Sequence, residues 1–330
     1  MNKIELVSLL KPETETIDKI MRDDLADIDN KLLHKVVSYA IFNGGKRIRP
    51  LLAVLAARLC QTDSQVDEKN LYRFALCFEY LHAASLLHDD VIDRAHKRRG
   101  QKSANTVWDN THVILAGDFL HSRAMLLAGT LGKATCLTII CKATEAMVDS
   151  EFIQLETAHT LNTSEHNYYK VLQGKTAALI SAACETGSIF SNGTKNQGKA
   201  LKIFGTNLGL TFQIVDDLLD YLGDPAKTGK IVGNDFQERK MTLPLIYTLT
   251  RASNTNTQVL KNLLEADSDT RAAALEQVRS IIDESGGFTY ARQKAASLIE
   301  EAINSLNIFP EGPAKEVMKA LSIYVLNRDK

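Results

Sequence analysis

Apolar residues recur every three to four positions along nearly the whole chain, the spacing of one face of an α-helix. The pattern predicts a short apolar helix over 51–60, after Pro50, and a long helix over 71–93 with Phe74, Cys77, Phe78 and Leu81 along it. Further helices are predicted to begin at 107–109 and to span 116–128, 131–155, 167–190, 198–221, 243–252, 257–264, 270–285, 289–306 and 316–326. Breakers fall between them: Asn43-Gly44-Gly45, Gly100, Gly129-Thr130, Ser191-Asn192-Gly193, Gly223-Asp224-Pro225, Gly229, Gly286-Gly287 and the stretch from Pro310 to Pro313. Alternating strand patterns are nearly absent. No internal repeat, low-complexity tract or long linker divides the sequence, so the expectation is a single all-α domain over 1–330, a large helical bundle around a central cavity.

Two places break the apolar pattern in the same way. LLHDDVID carries Asp89, Asp90 and Asp93, and FQIVDDLLDY carries Asp216, Asp217 and Asp220. On a helix, positions i and i+4 share a face and i+1 flanks them. Each triplet therefore gathers carboxylates at one point of a helix. Leu86, Leu87, Val91 and Ile92 surround the first, and Ile214, Val215, Leu218 and Leu219 the second. Acids flanked by core-type residues sit at the edge of a core, where uncompensated like charges are costly. A single DDxxD is as easily a solvated helix face. Two in matched apolar contexts imply cations, and hence a hard-metal site on two facing helices with a phosphate-bearing substrate.

Composition narrows the class. The 330 residues are 45% hydrophobic and 24% charged, with a net charge of −1, ordinary for a globular protein and without the basic field of a nucleic-acid binder. Cys60, Cys77, Cys136, Cys141 and Cys184 form no CxxC pair, and each lies in an apolar helical stretch. They read as small core residues in a reducing compartment. The N-terminal sequence has the features of neither a signal nor a transit peptide, and no run of about eighteen apolar residues occurs. The expectation is a cytoplasmic protein with no membrane span.

A metal site that grips phosphates needs cationic neighbours, and three basic clusters qualify. Gly44-Gly45-Lys46-Arg47-Ile48-Arg49-Pro50 places Lys46 and Arg49 one turn apart on a common face if the segment is helical. Lys97-Arg98-Arg99-Gly100 follows the first acidic cluster, and Arg98 and Arg99 are suited to forked phosphate contact. Gly223-Asp224-Pro225-Ala226-Lys227-Thr228-Gly229-Lys230 follows the second, where Lys230 is placed to close over a ligand. Taken alone, each reads equally well as a solvated turn; adjacency to the acids gives them weight. Lys175 and Thr176 follow Gly174 in an apolar helix, and Gln213 lies near one turn before Asp216. His82, two turns before Asp89, is by itself an ordinary core histidine. His88, His96, His112 and His121 show no HxxxH or HExxH spacing, and P-loop, GxGxxG and GxSxG motifs are missing.

In order along the chain, GGKRIRP (44–50), HDDVID with RRG (88–93 and 98–100), GKT (174–176), FQIVDDLLD (212–220), GDPAKTGK (223–230) and KMTLPL (240–245) resemble the motif set of the trans-isoprenyl diphosphate synthases, the polyprenyl synthetase family. A second motif of DDxxD type points to chain elongation rather than terpene cyclisation. The resemblance implies a homodimer of helical bundles with the isoprenoid synthase fold. It implies that Asp89, Asp90, Asp93, Asp216, Asp217 and Asp220 are the metal-site carboxylates for three Mg²⁺ ions gripping an allylic diphosphate. Arg98, Lys175 and Lys230 match further contacts of that diphosphate. Lys46, Arg49, His82 and Arg99 match positions that hold isopentenyl diphosphate, Lys240 matches a basic residue of the closing loop, and Arg328 resembles a basic tail over that second site. Thr176 and Gln213 would stabilise the allylic cation by their dipoles, the double bond of isopentenyl diphosphate would attack it, and the released diphosphate would take the proton. No side-chain nucleophile is required.

The helix before the first cluster also reads as a ruler. Ala84 and Ser85, about a turn before Asp89, are small where short-chain relatives carry aromatic residues. With about 5.4 Å per turn, a growing chain would pass this level towards Leu81, Cys77 and Phe74, with Phe119, Met125 and Leu126 of the neighbouring helix as floor. HAASLLHDD resembles the version of the motif found in bacterial octaprenyl synthases. The expected product is about C40, of the type used for quinone side chains, made from isopentenyl diphosphate and farnesyl or geranyl diphosphate. The rival readings are a farnesyl or geranylgeranyl synthase and an inactive regulatory subunit, which typically lacks one acidic motif.

Overall fold

Two helices precede the first one expected from the apolar pattern. α1 (Lys3–Leu25) and α2 (Lys31–Phe42) appear in the computed structural model, which describes residues 3–61, 67–98, 100–160, 164–223 and 232–328. Ile17, Met21 and Leu25 stand four residues apart on α1 and are fully buried, so the packing face of an otherwise polar helix is a narrow stripe. Asn30 starts α2 by accepting the Leu32 and Leu33 N–H groups.

The longer remaining helices follow the periodicity, four of them with side-chain N-caps. They are α3 (Ile48–Cys60), α4 (Glu68–Ile92), α5 (Asn110–Leu131), α6 (Ala134–Thr160), α7 (Glu165–Leu172), α8 (Ala178–Phe190), α9 (Lys195–Leu222), α10 (Leu243–Arg251), α11 (Asn254–Glu265), α12 (Leu275–Glu284), α13 (Gly287–Ser305) and α14 (Pro313–Leu326). Asp67 caps α4 and Asp109 caps α5 through side-chain oxygens. Three expected boundaries are corrected. Residues 107–109 do not open a helix: a single turn ends at Val107, and Asp109 is the cap of the next. The helix expected over 167–190 is interrupted by a π-helical turn, Gln173–Ala177, between α7 and α8. The stretch 270–285 is two helices, Ser268–Ala273 and α12, meeting at Ala274. Among the described residues the one sheet is a two-stranded hairpin, Lys97–Arg98 against Gln101–Lys102, turning at Gly100 with φ +78°. The fold is all-α, as expected.

The chain divides into two compact units. One comprises Met1–Thr144, Leu179–Lys202 and Leu306–Ala320; the other Glu145–Ala178, Ile203–Ser305 and Leu321–Lys330. In the first, α4 packs along α5 and against α3. Phe74, Phe78 and Tyr80 are fully buried there, and the Phe74 ring stacks on Phe190 at 5.1 Å. In the second, α10 packs on α13 around Tyr221, Phe236 and Phe288. Burial of each such ring contributes about 1.5–3 kcal/mol, so both units hold their helix ends on firm cores.

Candidate functional site

The candidate carboxylates and the basic loop lie at helix ends, and at the ends that disfavour their charge. A helix carries partial positive charge at its N-terminus and partial negative charge at its C-terminus. In the first unit, Asp89 and Asp90 occupy the last turn of α4, and Asp93 is its C-cap, with its N–H on the Asp89 carbonyl at 2.8 Å. Asp89 is half-buried and Asp93 exposed, whereas Asp90 is buried. Arg98, on the hairpin, donates from Nε to Asp90 Oδ1 at 2.6 Å, and Asn105 donates to the Asp90 carbonyl at 2.8 Å. Asp90 thus fastens the hairpin to α4, and the i, i+4 pair Asp89 and Asp93 forms the outer edge. Arg99 lies outside the described residues.

The basic loop shows the opposite arrangement. Gly44, Gly45 and Arg47 have φ of +93°, +129° and +50°, and α3 begins only at Ile48. Lys46 therefore does not share a helical face with Arg49, contrary to expectation; it is an exposed loop residue, and Arg49 stands half-buried in the first turn. Holding Arg47, a non-glycine residue, in the left-handed region costs about 1–3 kcal/mol. Basic side chains at a helix N-terminus are unfavourable alone and favourable around an anion. His82 is half-buried on α4.

The product-length candidates lie in the same unit. Leu81 and Ala84 are buried on α4; Ser85 is half-buried and donates to the His82 carbonyl at 2.9 Å. Phe119 and Met125 are half-buried on α5. Leu126 is instead 53% exposed, on the outer face of α5, and so does not join Met125 in a floor.

In the second unit, the last two turns of α9 carry Asp216, Asp217 and Asp220. Gly209 lets this helix approach the π-turn: a Cβ there would lie 2.5 Å from the Ala177 Cα. The approach assembles a chain of hydrogen bonds. Thr176 donates to Gln213 Oε1 at 3.2 Å, Gln213 Nε2 donates to Asp217 Oδ1 at 3.0 Å, and the Tyr168 hydroxyl donates to Asp217 Oδ2 at 2.7 Å. Lys175, on the same π-turn, reaches Glu151 and Gln154, each at 3.2 Å. π-Turns recur at functional positions because they re-aim side chains within a helix.

Acid crowds this end of the second unit. Burial, then the charge of Asp235, push the Asp220 carboxyl up to about 6 and hold that of Asp217 well above its ordinary value. Asp235 is itself raised by burial against the opposing charge of Lys240. Lys240 pairs with Asp235 at 3.2 Å and Glu238 at 2.8 Å. Burial would lower the Lys240 ammonium, but Asp235 and Glu238 outweigh it and its value rises. Arg328 donates to Asp216 Oδ1 at 3.0 Å and to the Phe212 carbonyl at 2.9 Å, its guanidinium 4.0 Å over the Phe212 ring. That contact differs from the role expected for Arg328 over the second substrate. Lys230, with residues 224–231, lies outside the described residues.

The partners Tyr168, Asp235, Glu151 and Arg47 were not visible as site residues in the sequence. No local motif marks them, since Tyr168 and Glu151 meet Asp217 and Lys175 from positions distant along the chain. Among the described residues no three His, Cys, Asp or Glu side chains close into a metal cage. Open carboxylate pairs fit Mg²⁺ nonetheless, since this ion takes one or two carboxylates and fills its octahedron with water and phosphate.

The arrangement defines a helical protein with carboxylates at two helix C-termini and basic groups at a helix N-terminus. A family profile, Polyprenyl synthetase, matches residues 30–282. The chain is 32% identical to the octaprenyl diphosphate synthase of Escherichia coli (strain K12), covering 96% of this chain and 99% of that one. It superposes with a TM-score of 0.88 on the decaprenyl diphosphate synthase of Rhodobacter capsulatus, at 33% identity and 99% of each chain. The score is also 0.88 for a polyprenyl synthase of Caulobacter crescentus CB15 complexed with calcium and isoprenyl diphosphate, at 32% identity and 98% and 97% coverage. The chain belongs to the polyprenyl synthetase family.

Proposed function

We propose that the chain elongates an allylic diphosphate with isopentenyl diphosphate, head to tail and all-trans, to about C40, for quinone side chains. The observation that carries this reading is the placement of charge: carboxylates at two helix C-termini and basic groups at a helix N-terminus, an arrangement that ligands of opposite sign favour. Relatives named for octaprenyl and decaprenyl products support the length. Asp89, Asp93, Asp216 and Asp220 hold Mg²⁺, three ions in all; Asp90 and Asp217 orient them. Bound Mg²⁺ supplies positive charge for the departing diphosphate. Lys175 and Arg98 bind that diphosphate, joined by Lys230 and Lys240. Lys46, Arg49, His82 and Arg99 hold isopentenyl diphosphate. The Gln213 amide, its nitrogen anchored on Asp217, turns its oxygen towards Thr176, and this negative end of the dipole faces the allylic cation. Attack by the isopentenyl double bond forms the new C–C bond, and released diphosphate takes the proton.

The chain works as one synthase domain and as a homodimer. Ile114, Leu115 and Leu126 are exposed on α5, and Val148, Phe152 and Leu155 on α6 at i, i+4 and i+7, with Phe152 64% exposed. Such apolar stripes are surfaces for a partner. No helix among the described residues is long and apolar enough to cross a membrane, and the five cysteines are unpaired; the cytoplasm suits both. The test is incubation of pure protein with farnesyl diphosphate, radiolabelled isopentenyl diphosphate and Mg²⁺. Product near C40 that disappears with EDTA is expected; product stopping at C15 or C20 contradicts the length, and no incorporation contradicts the reaction.

A further inference from the structure

The geometry points to Arg47 as a positioning residue that sets the spacing of the isopentenyl diphosphate contacts. This rests on the reading of Lys46, Arg49 and His82 given above. Arg47 lies between the two basic residues of the loop, yet its side chain turns inward and is 4% exposed. Its guanidinium spreads over three helices. Nε donates to Asp18 Oδ1 of α1 at 2.7 Å, Nη1 to Glu79 Oε1 of α4 at 2.8 Å, and Nη2 to the Ile41 carbonyl near the end of α2 at 2.9 Å. Glu79 is also buried and precedes His82 by three residues, so the two share a face of α4. One ion pair therefore ties the loop that carries Lys46 and Arg49 to the helix that carries His82.

Two physical points separate positioning from simple stability. A buried ion pair contributes little beyond what apolar residues of equal volume would, whereas it does fix a register. The left-handed backbone of Arg47 is held by the same fork, and its release would let the loop relax away from the start of α3. Lysine offers a single nitrogen and cannot span acceptors on three helices. Arg47 itself faces away from any ligand at Lys46.

Steady-state kinetics of the full chain with Arg47→Lys and Asp18→Asn decide the matter, with melting temperature as control. Asp18 is half-exposed, so its variant retains the core ion pair and the fold. Arg47→Lys is expected to raise KM for isopentenyl diphosphate about tenfold or more, since small misplacements of binding groups have large effects. KM for farnesyl diphosphate stays within about twofold and kcat within about threefold. Asp18→Asn shifts the same constant in the same direction by less. A structural role alone would lower the folded fraction and leave both KM values unchanged, and that result in either variant overturns the proposal. If Arg47→Lys does not fold, an unchanged isopentenyl diphosphate KM in Asp18→Asn overturns it. A wild-type protein that consumes no isopentenyl diphosphate overturns the functional reading and this inference with it.

Discussion

The two aspartate triplets share a spacing and a place near a helix C-terminus, but their surroundings differ. At the end of α4 the i+1 residue, Asp90, is neutralised by Arg98, and Asp93 stands in solvent. At the end of α9 the i+1 residue, Asp217, is buried against Tyr168 and Gln213, both neutral, and a fourth carboxylate, Asp235, raises the crowd. In the α4 triplet the buried carboxylate is paired with a cation of its own chain. In the α9 triplet the buried carboxylate has only neutral donors, and the cations Arg328 and Lys240 pair with its neighbours Asp216 and Asp235 instead. Identical motifs therefore need not respond alike to metal and to protons.

The largest effect expected from breaking this comparison is on turnover. Asp89→Ala and Asp216→Ala each remove an outer carboxylate, and kcat should fall by about 10³-fold in the same radiolabel assay. Asp90→Asn should act differently: it leaves Arg98 facing a neutral group and loses stability by about 1–3 kcal/mol, read by denaturant unfolding, with a smaller loss of kcat. An Asp90→Asn protein as stable as wild type and as inactive as Asp89→Ala would place Asp90 among the ligands.

One turn upstream of each triplet the chemistry diverges again. Before Asp216 stands Gln213, and Gln213→Leu should lower kcat by about 10–100-fold through loss of an oriented dipole. Before Asp89 stand Ala84 and Ser85, and Ala84→Phe should shorten the product on chromatography while turnover persists. Ala84 is buried, so the added ring also overpacks the α4 face, at about 1–3 kcal/mol. Unchanged product length would put the wall elsewhere.

The smallest effects come from pH. Asp220, raised to about 6, must lose its proton to take a metal. Apparent Mg²⁺ affinity should therefore be flat above about pH 7 and weaken as pH falls through about 6. Without metal the sign reverses for stability. The folded state holds this proton more tightly than the unfolded chain, so the contribution of Asp220 to stability declines as pH rises from the ordinary carboxylate value to about 6. In EDTA, Asp220→Asn should melt increasingly above wild type across that interval. A constant difference would contradict the raised value.

Much of this was legible in the sequence where one rule governs one residue. The apolar period from α3 onwards marked most helices, and the two DDxxD triplets and GGKRIRP marked the chemistry. α1 escaped because its buried stripe is thin and Pro12 interrupts it. The π-turn escaped because a helix that adds one residue to a turn keeps nearly the same apolar rhythm. Which aspartate of each triplet turns inward depends on Arg98, Asn105, Tyr168 and Asp235, distant in sequence from their partners. The inward turn of Arg47 depends likewise on Asp18 and Glu79, and no local pattern announces it.

We infer that both triplets are metal sites despite their different environments. Calorimetric titration of Mg²⁺ into the protein with inorganic diphosphate, for wild type, Asp89→Asn and Asp216→Asn, tests it most directly. Each substitution is predicted to reduce the number of ions bound or weaken their binding by about tenfold or more. Wild-type binding retained in either variant would show that its triplet holds no metal.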